Sequence, residues 1–323
     1  MKKTVLTIAT GKPLYINLAV NLARSFYRWN TNAEITFCIV TDSPELLPED
    51  VAFSAEIKTI RPGELGEGFS TKLFLDKVAP QGQTLFIDSD CLIFGDLSSL
   101  FDRFKGMQVA VVGNYISSGE WFGDINAVCK RFDVPHLPKF NGGLYYLENG
   151  DAAARVYERA RLIEKQYDEI GFVRLRNRPN DEVIMALAMQ LEGMKPLIDD
   201  GSIMSDPLAC PGKYQIDIIK GNTLLVNPPL PHPEHRAWYP FEKVHPLIVH
   251  FLGEYTLHYP YRREVFRLEK AADDKLTQLD NLRSLIRIEY PERLKLFFKN
   301  TFRSTYHRLF GVRKIKSSDR IIT

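Results

Sequence analysis

The alternation of apolar and polar stretches predicts strands and helices taking turns along the chain. Residues 4–10 read as a strand and 16–29 as a helix, with Leu18, Leu22 and Phe26 at i, i+4 and i+8. Residues 35–41 give a second strand, ending at Asp42, and 57–60 a short third. The loop PGELGEGFSTK holds Gly63, Gly66 and Gly68 but lacks the Gly-Lys-Ser/Thr ending of a phosphate-cradling loop, so it reads as a flexible connection. Ser70 is expected to cap a helix over 71–78, stopped by Pro80. Thr84, Leu85, Phe86 and Ile87 form an unbroken apolar and β-branched run, the pattern of a strand buried on both faces. Beyond it come a helix over 97–104 and a strand over 108–112. An irregular stretch over 114–139 contains Trp121 and Phe122, and a strand over 144–147 opens on Asn141-Gly142-Gly143. Val156, Tyr157, Ala160, Ile163, Tyr167 and Ile170 mark a long amphipathic helix ended by Gly171. Ile184, Leu187, Ala188 and Leu191 mark another, with Asn180 or Asp181 as its N-cap, and residues 248–253 read as a short apolar strand carrying His250. This spacing predicts an α/β fold, a mostly parallel sheet flanked by helices.

Charge adds a feature that hydropathy does not show. The net charge is +2. From Asn281 onward there are eleven Lys and Arg against three Asp and Glu, so a mildly acidic body carries a basic tail. Pro291 suits the first turn of a helix, after which Leu294, Phe298, Phe302, Tyr306 and Leu309 stack on one face. Arg293, Lys299, Arg303 and Arg308 lie off or beside that face; Leu296 breaks the pattern, and Lys295 sits at its edge. Two readings stay open: a helix packed on the acidic body, or one lying in the interface of an anionic membrane. No apolar run approaches the roughly 20 residues of a membrane-spanning helix. The opening MKKTVLTIAT is interrupted by Lys12 and Pro13 and reads as a first strand, not a leader. Cys38, Cys91, Cys129 and Cys210 form no CxxC pair and are expected to be reduced, buried thiols of a cytoplasmic protein. The length suits about two domains.

Candidate chemistry gathers where the buried run ends. Asp88, Ser89 and Asp90 follow it at the strand's carboxyl end, where open α/β sheets bind ligands. Two carboxylates one residue apart need a cation or a shared proton, and a divalent metal supplies the first. The plain reading makes them turn residues, but a second apolar run, residues 91–94, encloses them. Gly142 and Gly143 mark either a plain turn or a close approach of backbone to ligand, and His250 is either structural or a ligand.

Together FIDSD, FNGGLYYL, NDEVIMAL and HFLG, in that order over residues 4–253, resemble the GT-A-fold glycosyltransferases, most closely the retaining family 8. That family includes bacterial lipopolysaccharide galactosyl- and glucosyltransferases and the glycogenins. The resemblance implies a Rossmann-like transferase domain over 1–260 and a helical basic extension over 261–323. It implies a metal-dependent retaining hexosyltransferase using a nucleotide sugar, in the first instance a UDP-hexose. The acceptor would be a glycan or lipid-linked molecule, and nucleic acid would have no part. Asp88, Asp90 and His250 would hold Mn²⁺ or Mg²⁺. Ala9, Thr10, Tyr15, Lys72, Asp88, Ser89, Asp90, Asn141, Gly142, Gly143 and Gly253 would line the donor. Asn180 and Asp181 fall where the family has an acid-amide pair beside the anomeric carbon. Such an enzyme would work in the cytoplasm, peripheral to the inner face of the membrane. The chain departs from the family in two places. Lys12 stands where an acid contacts uracil, and no Lys-Pro-Trp follows His250, leaving Arg262 or Arg263 as substitutes for the diphosphate-holding Lys. Rival readings are a catalytically degenerate nucleotide-binding relative and a nucleotidyltransferase with Gly11-Lys12-Pro13 as a poor phosphate loop. A third is a haloacid-dehalogenase-type phosphatase, with residues 198–201 as its later acidic motif.

Overall fold

Most of the apolar runs become strands within a residue or two of their expected bounds. In the computed structural model, which describes residues 1–31, 34–272 and 276–311, β1 is Lys3–Ala9, β2 Ile35–Thr41, β3 Glu56–Thr59, β4 Gln83–Ile87 and β5 Cys91–Ile93. Then come β6 Val109–Ala110, β7 Val112–Ile116, β8 Leu137–Phe140 and β9 Leu144–Glu148. The central sheet has the order β3-β2-β1-β4-β9-β6. β1 runs parallel to β2 and β4, and β2 parallel to β3, while β9 is antiparallel to β4 and β6. All five residues of β4 are buried because apolar layers cover both faces. On one face Val5, Ile39, Leu85 and Ile87 pack with Ile16, Leu22 and Phe26 of the helix Pro13–Trp29. On the other, Leu6, Phe86 and Tyr145 pack with Val156 and Ala160 of the helix Asp151–Lys165 and with the helix Asp181–Leu191. The expected mostly parallel, helix-flanked sheet is what forms.

Smaller pieces complete the architecture. β10, Leu197–Ile198, joins β7, and β11 is Met204–Ser205. β12 Tyr214–Asp217, β13 Asn222–Val226 and β14 Lys243–Val244 form a separate antiparallel sheet. β15, Ile248–His250, pairs with β11 and β5. The chain divides into two compact units: Met1–Ser205 with Pro246–His250, and Asp206–His245 with the rest from Phe251. The second unit groups β12–β14 with the C-terminal helices, so these cuts differ in kind from the functional boundary expected at residue 260.

Three local expectations change. Ser70 does not cap a helix: residues Gly68–Phe74 form a 3₁₀ turn that passes into the short helix Leu75–Val78, and the Ser70 hydroxyl donates to Glu164. Gly66 and Gly68, both at positive φ, lead into this tighter winding. The stretch 114–139 is not irregular throughout, since it holds the helix Ile125–Phe132, with the Asp124 carboxylate accepting from Asn126 and Ala127 N–H, and then β8. The long helix breaks at Gln166 into Asp151–Lys165 and Tyr167–Ile170, and Gly171 ends it at φ +97° as expected.

Within the second unit the helices Tyr261–Ala272, Gln278–Ser284 and Tyr290–Phe310 are tied by ion pairs. Arg263 bonds Glu264 and Glu289, Arg267 bonds Glu264, Asp217 and Asn281, and Arg293 bonds Glu289 and the Tyr259 hydroxyl. Arg262 pairs with Glu292. Both candidate diphosphate arginines are therefore committed to internal carboxylates. Among the described residues, no helix is long and apolar enough to cross a membrane.

Candidate functional site

Parallel strands end at one sheet edge, and that edge collects the candidates. β4 delivers Asp88, whose N–H donates to Gly143 O at 2.9 Å, and a turn closed by Cys91 N–H to Asp88 O at 3.0 Å leads into β5. β5 pairs with β15 so that Cys91 faces His250. β9 pairs with β4 so that Leu144 faces Ile87, which sets Asn141-Gly142-Gly143 beside the turn. Asn180 caps the helix behind them, its side chain accepting from Glu182 N–H at 2.9 Å, and so fixes Asp181 and Glu182 in the first turn.

The bonds around His250 settle its proton. Gly143 N–H donates to Asn141 Oδ1 at 2.9 Å, so that atom is an acceptor. His250 Nδ1 lies 2.8 Å from the same oxygen and must be the donor. Nε2 therefore turns its lone pair toward Asp90 Oδ1 at 3.0 Å and Asp88 Oδ2 at 3.8 Å. A lone pair facing carboxylates needs a positive charge between them, either a proton or a metal ion. Charge counting says the same: Asp88, Asp181 and Glu182 act on the ammonium of Lys72, and Asp90 adds its charge beside Asp88. Burial raises the Asp88 carboxyl above its ordinary range although Lys72 opposes this, and burial followed by the charge of Asp181 raises Glu182 to about 7. The donor set of two carboxylates and one imidazole, with an aligned Nε2, fits a divalent cation. Among the described residues, the donors that all lie within 4.8 Å of one another are Asp90, Cys91 and His250. Cys91 was expected to be only a buried thiol; all four cysteines are free and buried, but the β5–β15 register brings this one to the site.

Lys72 and Asp181 form the site's other half. The Lys72 ammonium, on a residue 9% exposed, lies 2.7 Å from Asp88 Oδ2, 2.8 Å from Gly142 O and 3.4 Å from Asp181 Oδ2. Burial disfavours its charge, but Asp181 and Asp88 outweigh burial and raise its pKa. Asp181, 2% exposed, accepts from the Tyr145 hydroxyl at 2.6 Å on that same Oδ2. Burial and the Asp181 charge hold the Tyr145 proton in place. Glu182 Oε1 accepts from Gly142 N–H at 2.8 Å. Tyr145 and Glu182 are site residues the sequence reading missed. Each sits one or two residues from a flagged residue, and only the β4–β9 register shows that Tyr145 points the same way.

The paired glycines are required by close approach. A Cβ at Gly142 would stand 2.9 Å from Asp181 Oδ2, and one at Gly143 would stand 2.5 Å from His250 Nδ1. Gly143→Ala is therefore expected to displace the His250 ring, to cost about 1–3 kcal/mol of stability and to weaken Mn²⁺ binding. Thermal unfolding with and without Mn²⁺ measures both, and a variant with unaltered response would remove the glycine from the argument.

The remaining candidates separate. Ala9 and Thr10 close β1 at the same edge, next to β4, and Ser89 lies buried in the turn itself. Tyr15 packs on the β1 side of the core. Asp42, at the end of β2, accepts from Gly11 N–H at 3.0 Å, and Lys12 precedes the first helix without a side-chain cap. Gly253 belongs to the second compact unit. Asp199 and Asp200 accept from Gly201 and Ser202 N–H, as turn residues do, and Asp200 also pairs with Arg103.

No family model matches the chain, and no curated protein does. Solved structures match it in shape. The galactosyltransferase LgtC, in complex with donor and acceptor sugar analogs, is 13% identical, with 85% of this chain and 96% of LgtC covered and a TM-score of 0.54. An active-site mutant of LgtC is 12% identical over 83% and 95%, again at 0.54. The fold is that of the GT-A glycosyltransferases. GlyE of Streptococcus pneumoniae TIGR4 is 17% identical at a TM-score of 0.41, and the chain spans 45% of its length. At these identities the likeness fixes the fold and leaves the chemistry to be argued from the site.

Proposed function

We propose that the chain is a metal-dependent retaining glycosyltransferase of family 8 type, moving a hexose from a nucleotide sugar, first a UDP-hexose, to a glycan or lipid-linked acceptor. The observation that carries this is His250 Nε2 directed at Asp90 and Asp88, 3.0 and 3.8 Å away, at the ligand edge of a GT-A sheet. Asp88, Asp90 and His250 would hold Mn²⁺ or Mg²⁺, with Cys91 alongside. When bound, the ion would act as a Lewis acid on the donor's diphosphate. Asn141, Gly142 and Gly143 would line the donor sugar, with Ala9, Thr10, Tyr15 and Ser89 completing the donor site, and Lys72 would touch the sugar. Asp181, fixed by Tyr145 and capped in place by Asn180, would face positive charge developing at the anomeric carbon. The transferase domain is taken as 1–260 and the basic extension as 261–323. The same reading puts the protein on the cytoplasmic side, with the basic tail against an anionic membrane.

The test is a thermal-shift screen of UDP-, GDP-, ADP- and CMP-sugars with and without Mn²⁺. A stabilisation by one donor that requires Mn²⁺ supports the reading; no response to any of them defeats it. The commitment of Arg262 and Arg263 to Glu292, Glu264 and Glu289 favours a second reading, a relative that binds nucleotide without turnover. It would give the thermal shift but no product. If turnover occurs, the stereochemistry is expected to be retained, an α-linked donor giving an α-linked product by NMR. A β-linked product would recast Asp181 as a general base.

A further inference from the structure

Lys72 occupies the oxygen that a metal ion would need. Its ammonium is 2.7 Å from Asp88 Oδ2, the same oxygen that lies 3.8 Å from His250 Nε2. The close donor set of Asp90, Cys91 and His250 does not include Asp88. A second anion lies within reach, since Asp181 Oδ2 is 3.4 Å from Nζ, longer than the roughly 2.8 Å of a charge-assisted hydrogen bond. Lys72 is thus held between two carboxylates and is bonded closely to only one.

Resting on the metal reading above, we infer that Lys72 is a positioning residue that changes partner, leaving Asp88 for Asp181 when a divalent cation binds. Without the cation, Lys72 is the counter-ion of Asp88 and competes with it. With the cation, like-charge repulsion drives the ammonium off Asp88, and the nearest remaining carboxylate is Asp181. The Gly142 carbonyl, 2.8 Å away, holds the ammonium through the shift. Lys72 and Tyr145 then both grip Asp181 Oδ2, so the carboxylate cannot rotate without losing both. Tyr145 alone holds that oxygen in the metal-free protein and Lys72 joins it in the metal-loaded one, which links metal occupancy to readiness for reaction.

Mn²⁺ titration by electron paramagnetic resonance, without nucleotide sugar, tests this on the wild type, Lys72→Met and Asp90→Asn. Lys72→Met is expected to bind Mn²⁺ about tenfold tighter, because a competing cation is gone, while nucleotide-sugar turnover falls about a hundredfold. Equal or weaker Mn²⁺ binding by Lys72→Met overturns the inference, and if the wild type binds while Asp90→Asn does not, the metal reading survives that failure. No binding by the wild type overturns both. Should Lys72→Met not fold, a crystal structure of the wild type with Mn²⁺ decides. Nζ is expected more than about 3.5 Å from Asp88 and within about 3.0 Å of Asp181; an unchanged contact with Asp88 overturns the inference.

Discussion

Replacing Asp90 by Asn is expected to abolish Mn²⁺-dependent binding of nucleotide sugar and to leave the fold intact. The carboxylate removed is the one 3.0 Å from His250 Nε2. Losing one charged ligand of a metal that bears on a diphosphate costs several kcal/mol of transition-state stabilisation, and about 4 kcal/mol is about a thousandfold in rate. The fold should survive because Asn has the same shape and offers an N–H. His250 has already spent its own proton on Asn141, so the new amide can donate to the Nε2 lone pair. In the metal-free protein the amide hydrogen bond then replaces the proton that Nε2 and the Asp90 carboxylate share at 3.0 Å, so the contact is kept. Thermal unfolding of Asp90→Asn without metal should stay close to the wild type, while the Mn²⁺-dependent shift disappears. Normal turnover by this variant would place the reaction elsewhere.

How much of this could be read from the chain depends on range. The run Thr84–Ile87 and the acids behind it are local signals, and the run became the buried strand it promised. The Asn180 cap and the Gly171 stop are equally local, and both formed. The helix Ile125–Phe132 was legible in principle, since Asp124 precedes Ile125, Val128, Cys129 and Phe132 at helical spacing, but the neighbouring aromatics and prolines obscured it. The Ser70 cap failed because the adjacent glycines favour a tighter turn than an α-helix. Cys91, Tyr145 and Glu182 join the site through strand registers and a helix approach that no short window encodes. The bridge of Lys72 between Asp88 and Asp181 joins residues far apart in the chain and is invisible to pattern reading.

The last expectation concerns the basic tail, where the contacts of its first turns decide how much of it can be removed. A truncation before Asn281 would remove Asn281, Glu289, Glu292 and Arg293, which bond Arg267, Arg263, Arg262 and the Tyr259 hydroxyl. Arg263 and Arg267 would be left beside Glu264 with part of their partners gone, and the second unit should loosen. Exposed apolar side chains start before Arg293, at Ile286 and Tyr290, and crowd the helix beyond it, where Leu294, Phe297, Phe298, Phe302, Leu309 and Phe310 are each half exposed or more. Residues 312–323, with part of the positive charge, lie outside the described residues, as do the side chains of Leu296 and Lys299. Exposed phenylalanines on a basic helix suit an anionic bilayer interface. Each apolar side chain buried there contributes about 1.5–3 kcal/mol at most, and each nearby basic residue about 1 kcal/mol, weakened by salt. The full chain is expected to sediment with anionic vesicles at low salt and not with neutral ones. A chain ending at Arg293 should keep its melting temperature and its nucleotide-sugar binding, and stay in the supernatant. If that shorter chain still sediments, the membrane contact lies elsewhere; if it unfolds, the exposed half of the helix belongs to the core of its unit.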